Sequence, residues 1–167
     1  KCMTDLVAEY GYASSGETFS IADPNEIWLM ELIGKGKVEK GAVWVATRIP
    51  DDCIAAHANQ ARFTTINFKD KENWMWSKDV VSFAHKQGYF EGKDKDFNFQ
   101  EAYAPYDFSG LYVCEARVWS FFRKFSDDMD KYFDFASGKT FVETGGKYAG
   151  ERMPLYIKPN HKVSAQE

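Results

Sequence analysis

The polar residues best equipped for chemistry crowd into one segment, Cys53-Ile-Ala-Ala-His-Ala-Asn-Gln-Ala-Arg62. Its composition predicts a strand over Cys53 to Asn59, with Cys53, Ala55, His57 and Asn59 on one face and Ile54, Ala56 and Ala58 on the other. A His and an Asn then project together at a strand end. One reading makes them satisfied polar groups at a sheet edge. The other makes Asn59 a hydrogen-bond donor to a developing oxyanion, a role that a fixed amide fills well. Cys53 and His57 do not form a thiol–imidazole couple, because four residues of extended chain separate them by roughly 13 Å, beyond proton transfer.

Arg117 is the second unusual residue. In a helix its neighbours at i−4, i−3 and i+4 are Val113, Cys114 and Phe121, so its charge is expected to face an apolar wall. That pattern suits an aliphatic stem that snorkels to a structural ion pair. It equally suits a fixed cation that stabilises a thiolate or holds a substrate carboxylate, which planar guanidinium geometry fits. The other candidates carry less. Removal of Lys1 would expose Cys2 as an N-terminal thiol, but N-terminal nucleophiles sit on a strand that opens into a cleft, whereas Cys2 opens a helix. Cys114 falls on the apolar side of its helix, His85 and His161 show no recognisable partner, and Gly34-Lys-Gly-Lys37 lacks the rest of a phosphate-binding loop.

The elements that must position these groups follow from periodicity and turn chemistry. Met3, Leu6, Val7 and Tyr10 predict an amphipathic helix that is already running at Lys1 and stops near Gly11. Strands are predicted over Glu17 to Asp23, with Phe19 and Ile21 on one face, and over Glu26 to Ile33, joined at Pro24-Asn25 into a hairpin. A Gly-containing loop to Gly41 leads to a third strand, Ala42 to Ile49, and Pro50-Asp-Asp52 turns the chain into the Cys53 to Asn59 strand. Helices are expected over Asp79 to Gln87, with Asp79 at or near its N-cap and Gly88 ending it, and over Phe99 to Tyr103. The longest is expected over Leu111 to Phe125, with Leu111, Cys114, Val118, Phe121, Phe122 and Phe125 on its apolar side. Residues 126–150 read as a mobile loop and Met153 to Lys158 as a last strand. Ser164-Ala-Gln-Glu167 has capping-box spacing, so a further helix is expected to begin there. A helix without a start and a start without a helix lead us to expect one partial domain over residues 1–167, truncated at both ends.

Bulk properties exclude several classes. A chain of 167 residues, 44% of them hydrophobic, can bury a core of its own. No stretch approaches the roughly 20 apolar residues of a membrane span, so no membrane partner is expected. A net charge of −4 with scattered basic residues argues against nucleic acid. Three widely spaced cysteines read as free thiols rather than metal ligands, which favours a reducing, cytoplasmic address; any signal peptide would lie upstream. The aromatic content of 17% fits a layered core. It also leaves open a carbohydrate-binding module that stacks sugars on exposed Trp28, Trp74 and Trp76.

Five blocks occur in order: Glu9-Tyr-Gly-Tyr-Ala-Ser-Ser-Gly-Glu17, Phe19-Ser-Ile-Ala-Asp-Pro-Asn-Glu26, Lys40-Gly-Ala-Val-Trp-Val45, Ala56-His-Ala-Asn-Gln-Ala-Arg62 and Cys114-Glu-Ala-Arg-Val-Trp-Ser-Phe121. Together with Pro154-Leu-Tyr-Ile-Lys-Pro159 they resemble the dipeptidase A family, whose eukaryotic relatives are the secernins. The resemblance implies an α+β fold, part of an αββα N-terminal-nucleophile hydrolase sandwich in which an antiparallel strand meander is followed by helices. It implies dipeptide hydrolysis by a cysteine thiolate at the mature N-terminus, with the cysteine's own α-amino group as base and with no metal or other cofactor. That cysteine and its supporting Arg and Asp would lie upstream of Lys1, so the chain alone is expected to be inactive. Asn59 matches the family's oxyanion-hole Asn. Arg117 matches the Arg beside the nucleophile's sulfur, through similarity to the wider penicillin and bile-acid amidase group. Cys53 stands where many relatives carry an aromatic residue and receives no catalytic role. The expected partners are a dipeptide substrate and the remainder of the same polypeptide, with exposed apolar surface at the cut ends leaving room for a homo-oligomer. An amidase of the same fold, acting on a non-peptide linear amide, would use the same chemistry.

Overall fold

A computed structural model describes residues 1–12, 15–37, 39–146 and 151–164. In chain order the strands are β1 (Gly16–Ala22), β2 (Ile27–Gly34), β3 (Ala42–Ile49), β4 (Ile54–Ala55), β5 (Trp74–Trp76) and β6 (Tyr156–Ile157). The α-helices are α1 (Cys2–Tyr10), α2 (Ser82–Gln87), α3 (Phe99–Tyr103), α4 (Ala116–Phe122), α5 (Phe133–Ala136) and α6 (Lys139–Glu143). The fold is therefore mixed α and β, a strand meander followed by helices. The chain divides into two compact units, one of Lys1–Arg48 with Phe63–Ala104 and one of Ile49–Arg62 with Pro105–Glu167.

The first unit is built on a sheet of order β1-β2-β3-β5. β1 and β2 form the expected antiparallel hairpin, with Phe19 opposite Met30 and Ile21 opposite Trp28. The Asp23 carboxylate accepts hydrogen bonds from the Asn25 and Glu26 N–H groups at 2.7 and 2.9 Å, an Asx turn around Pro24-Asn25. Those two bonds hold its pKa below the ordinary value. β2 reads Trp-Leu-Met-Glu-Leu-Ile without alternation because Leu29, Met30, Glu31 and Leu32 are all buried, as befits a strand covered on both faces. α1 ends as expected at Gly11, whose φ of 86° suits a residue without Cβ. Its apolar stripe is largely uncovered, however. Leu6 is 50% exposed and Tyr10 72%, and of the stripe Val7 packs on the Met30, Leu32 and Ala46 cluster.

Other expectations for this unit need adjustment. Asp79 does not cap α2, which starts at Ser82; its carboxylate lies 2.6 Å from Lys35 Nζ instead, while its carbonyl accepts from Phe83 N–H. α3 spans the expected Phe99–Tyr103 and is capped by Asn98, whose Oδ1 accepts from Glu101 N–H at 3.2 Å. Trp74 and Trp76 are half-buried rather than exposed, set edge-on to Phe63 and Phe68 at ring distances of 5.8 and 5.1 Å. Trp28 packs beside the Met30 cluster. The rings that a sugar-stacking surface would need are spent on internal packing.

The second unit gathers Leu111, Val118, Phe122, Phe125, Met129, Tyr132, Phe135, Met153 and Ile157 into one core. The single helix expected over Leu111 to Phe125 is in fact a π-helical turn, Gly110–Glu115, running into α4. The Ala116 N–H reaches back five residues to the Leu111 carbonyl, the widened spacing that defines a π-turn. Phe121, expected on the buried side, is 39% exposed because it lies at the edge of the stripe and leans on Phe125 at 5.0 Å. Residues 126–146 are not a loop. A 3₁₀ turn over Asp127–Tyr132 leads into α5 and α6; Met129 and Tyr132, three apart, are the buried residues of the turn, and Phe135 and Ala136 those of α5. The Trp119 indole donates to the Met129 carbonyl at 2.8 Å and ties this segment to α4. Residues 147–150 and the Ala165-Gln-Glu167 part of the expected capping box lie outside the described residues.

The predicted Cys53 to Asn59 strand shrinks to Ile54–Ala55, paired antiparallel with β6. Beyond Ala55 a bridge between Ala58 and Gln60 bends the chain tightly around Asn59. The alternating faces read from sequence therefore do not persist to His57 and Asn59. The last strand likewise shortens from Met153–Lys158 to β6, because the Pro154 and Leu155 carbonyls accept from a guanidinium rather than from a strand.

Candidate functional site

Asn59 and Arg117 are separated by 58 residues in sequence and meet in the second unit. Arg117 projects from the first turn of α4. Its Nε donates to the Val113 carbonyl at 2.8 Å and its Nη2 to Asn59 Oδ1 at 2.9 Å, with Cys114 Sγ 3.6 Å from the same Nη2. Both residues are exposed, so the expected apolar wall around Arg117 is absent in this chain. The reason is local: Val113 is 51% exposed and Phe121 39%, leaving the buried Cys114 as the one covered neighbour of the three.

This contact decides how the Asn59 amide points. A guanidinium only donates, so the amide must turn its oxygen toward Arg117; the flipped amide would set donor against donor. Oδ1 is thereby occupied and the Nδ2 hydrogens become the end of the amide left for another acceptor. A primary amide with its oxygen pinned by a cation is a stronger and better oriented donor, because the cation draws electron density toward Oδ1.

Beneath this exposed pair lies a buried one. Arg62 is 6% exposed and Glu115 1%. Arg62 Nε donates to Glu115 Oε1 at 2.9 Å and to Oε2 at 3.2 Å. Its Nη1 donates to the Ala56 and Leu155 carbonyls at 3.0 and 3.3 Å, and its Nη2 to the Pro154 carbonyl at 2.9 Å. The guanidinium also lies over the Phe122 ring, 5.7 Å from its centre. Burial pushes the Glu115 carboxyl above its ordinary pKa, and the Arg62 charge pulls against that shift without cancelling it. Neither residue stands out by sequence reasoning alone. A signal was available, since Glu115 occupies a stripe position between Leu111 and Val118 at i+4 and i−3.

The remaining candidates are scattered. Cys53 is half-buried, and its thiol is pushed up first by burial and then by the neighbouring Asp52 carboxylate, which opposes thiolate chemistry. His57 is exposed. Cys2 is exposed at the first residue of α1, as read from sequence. His85 does have a partner, Asp94 Oδ1 at 3.0 Å, and the His161 ring lies 6.0 Å from that of Phe125. The Gly34 to Gly41 loop is held by Lys35, whose Nζ lies 2.6 Å from both Glu39 and Asp79, so it serves a turn rather than a phosphate. No group of three His, Cys, Asp or Glu side chains among the described residues is placed to hold a metal ion, and no helix among them is long and apolar enough to cross a membrane.

Comparison with known proteins finds relatives along nearly the whole chain. A "Probable dipeptidase" of Latilactobacillus sakei is 33% identical over 161 residues, 96% of this chain and 32% of that protein. A "Probable dipeptidase" of Salmonella dublin is 30% identical over 166 residues, 98% of this chain and 33% of that protein. "Dipeptidase A" of Lactobacillus helveticus is 26% identical over 164 residues, 97% of this chain and 29% of that protein. The chain thus spans about a third of the length of the curated relatives it matches. Peptidase family C69 matches from the first residue to the last, 1–167, taking in the Asn59 turn, the Arg117 helix and the buried Arg62–Glu115 pair alike, and the chain therefore belongs to that family.

Proposed function

We propose that this chain is part of a longer cysteine-type dipeptidase and supplies its oxyanion-stabilising side rather than its nucleophile. On this reading residues 1–167 form one partial domain of an αββα N-terminal-nucleophile sandwich. A cysteine thiolate from outside these residues attacks the dipeptide carbonyl, and its α-amino group moves the proton. Asn59 donates through Nδ2 to the oxygen on which negative charge develops. Arg117 holds the amide from behind and adds a positive charge that favours the thiolate over the thiol. Three curated relatives carry dipeptidase in their names, which favours dipeptides over non-peptide amides as substrates.

The observation that carries the reading is the 2.9 Å bond from Arg117 Nη2 to Asn59 Oδ1, which leaves a pre-oriented donor where an exposed Asn would otherwise rotate freely. The test is a panel of dipeptides and linear non-peptide amides offered to the full-length protein. Dipeptide turnover should persist in chelator, and Asn59→Ala should lower kcat by about 10²–10³-fold with the fold intact. Unchanged turnover by a folded Asn59→Ala protein would overturn the assignment, and preference for the amides would replace the substrate class.

A further inference from the structure

We infer that Arg62 and Glu115 are a positioning pair that sets the Asn59 turn against the helix bearing Arg117; the inference rests on the role proposed above for Asn59. Three observations lead there. First, Arg62 folds back so that its Nη1 meets the Ala56 carbonyl, and Asn59 lies midway between these two residues. One guanidinium thus fastens both ends of the turn. Second, the same guanidinium grips Glu115, which closes the π-turn two residues before Arg117, so the turn and the helix are indexed to each other through a buried contact. Gln60 packs against Gly110 at the start of the π-turn, so close that a Cβ there would meet its Oε1 at 2.7 Å. Third, the Asn59–Arg117 bond lies at the surface, where water competes for both groups, so it sets which end of the amide faces Arg117 but adds little to holding the turn against the helix.

Stability alone does not account for such a pair. Ionised groups cost free energy to bury, and apolar side chains of similar volume commonly serve as well or better. What an ion pair adds is direction. Arg62 delivers donors to Glu115, Ala56, Leu155 and Pro154 from one rigid plane, so three chain segments meet in one arrangement and slippage leaves a buried charge unpaired. Both residues are too deeply buried to meet a dipeptide, so their effect on turnover passes through Asn59 and Arg117.

The experiment is a double-mutant cycle in the full-length protein, with Glu115→Gln and Asn59→Ala singly and together, read as kcat and KM for a dipeptide. Glu115→Gln keeps the side chain's shape and one acceptor while removing the charge that orients Arg62. It should lower kcat by about 10-fold to 10²-fold with KM nearly unchanged, the usual loss when a reacting group is displaced by a fraction of a bond length. In the Asn59→Ala background the same change should have almost no further effect, because the donor it positions is already gone. Arg62→Lys, which keeps a cation but cannot reach all four acceptors, should repeat the pattern and serves where Glu115→Gln folds poorly. Equal losses in both backgrounds would mean that the pair only supports the fold, and would overturn the inference while leaving the Asn59 assignment standing. No loss from Asn59→Ala alone would overturn both.

Discussion

Replacing Asn59 by Asp separates the two things this side chain is proposed to do. Aspartate is nearly isosteric and still accepts from Arg117, now as a full ion pair in place of the cation–amide bond at 2.9 Å. It has no hydrogen to give. If donation from Nδ2 stabilises the oxyanion, Asn59→Asp forfeits it entirely, about 2.7–4 kcal/mol or 10²–10³-fold in kcat. A second term has the same sign. The new carboxylate stands where it would face the developing oxyanion, and two unit negative charges about 4 Å apart repel by about 4 kcal/mol at an effective dielectric of 20. Arg117 offsets much of that repulsion because it pairs with the carboxylate. Asn59→Asp should therefore be no more active than Asn59→Ala, although it retains the contact that Ala loses. Stability should move the other way: an exposed carboxylate–guanidinium pair adds at most about 1 kcal/mol, so the melting temperature should hold or rise slightly. The assay is steady-state dipeptide hydrolysis by the full-length protein, with calorimetry on the same samples. An Asn59→Asp enzyme that keeps more than about a tenth of wild-type kcat, well above the loss expected for one oxyanion donor, would refute donation by Asn59 and leave anchoring of Arg117 as its only role.

Two further outcomes are expected. Arg117→Met should move the pH profile of nucleophile alkylation to higher pH, since removing a neighbouring cation disfavours the thiolate; a profile that stays in place would refute contact between Arg117 and the sulfur. In the first unit, hydrogen bonds from Lys35 and then Lys86, at 2.6 and 3.0 Å, hold the Glu39 carboxyl down from 4.5 to about 2. A depressed carboxyl adds stability above its unfolded value that is lost as pH falls toward its folded one, so Glu39→Gln should flatten acid destabilisation between about pH 4.5 and 2; an unchanged acid limb in a urea series would count against the pairing.

Where local rules govern, the sequence was legible. The β1–β2 hairpin follows from alternation over Glu17 to Asp23, a turn at Asp-Pro-Asn and a run of large apolar residues after it, and β3 was bounded correctly because a Gly-containing loop precedes it and Pro50 ends it. α3 falls where a helix was expected, over Phe99 to Tyr103, and the structure adds the Asn98 cap ahead of it. The misread elements share a different cause. The 126–150 segment is polar and acidic in bulk, and its buried Met129, Tyr132, Phe135 and Ala136 are split between a 3₁₀ turn and a four-residue helix, each too short to show a sustained period. The Leu111 to Phe125 pattern fits a continuous helix almost as well as a π-turn followed by an α-helix, because one extra residue in the first turn rotates the stripe without breaking it.

The site divides along the same line. Asn59 and Arg117 attracted attention as single residues in unexpected company, but nothing local says that they touch across 58 residues, or that the strand meant to carry Asn59 ends four residues early. That early end has a physical source in Arg62, whose guanidinium takes the Ala56, Pro154 and Leu155 carbonyls that a longer β4–β6 ladder would otherwise use. Alternation over Cys53 to Asn59 is a real local preference, and a buried cation with four acceptors overrides it. A charged residue that closes a polar segment, as Arg62 does in Ala-His-Ala-Asn-Gln-Ala-Arg, can be placed only once its counter-charge is found. Here the counter-charge was Glu115, a carboxylate inside the helical stripe that the apolar pattern skips over. An acid in a buried stripe and a base closing a polar loop each cost too much to bury alone. Pairing two such residues is what joins the Asn59 turn to the Arg117 helix.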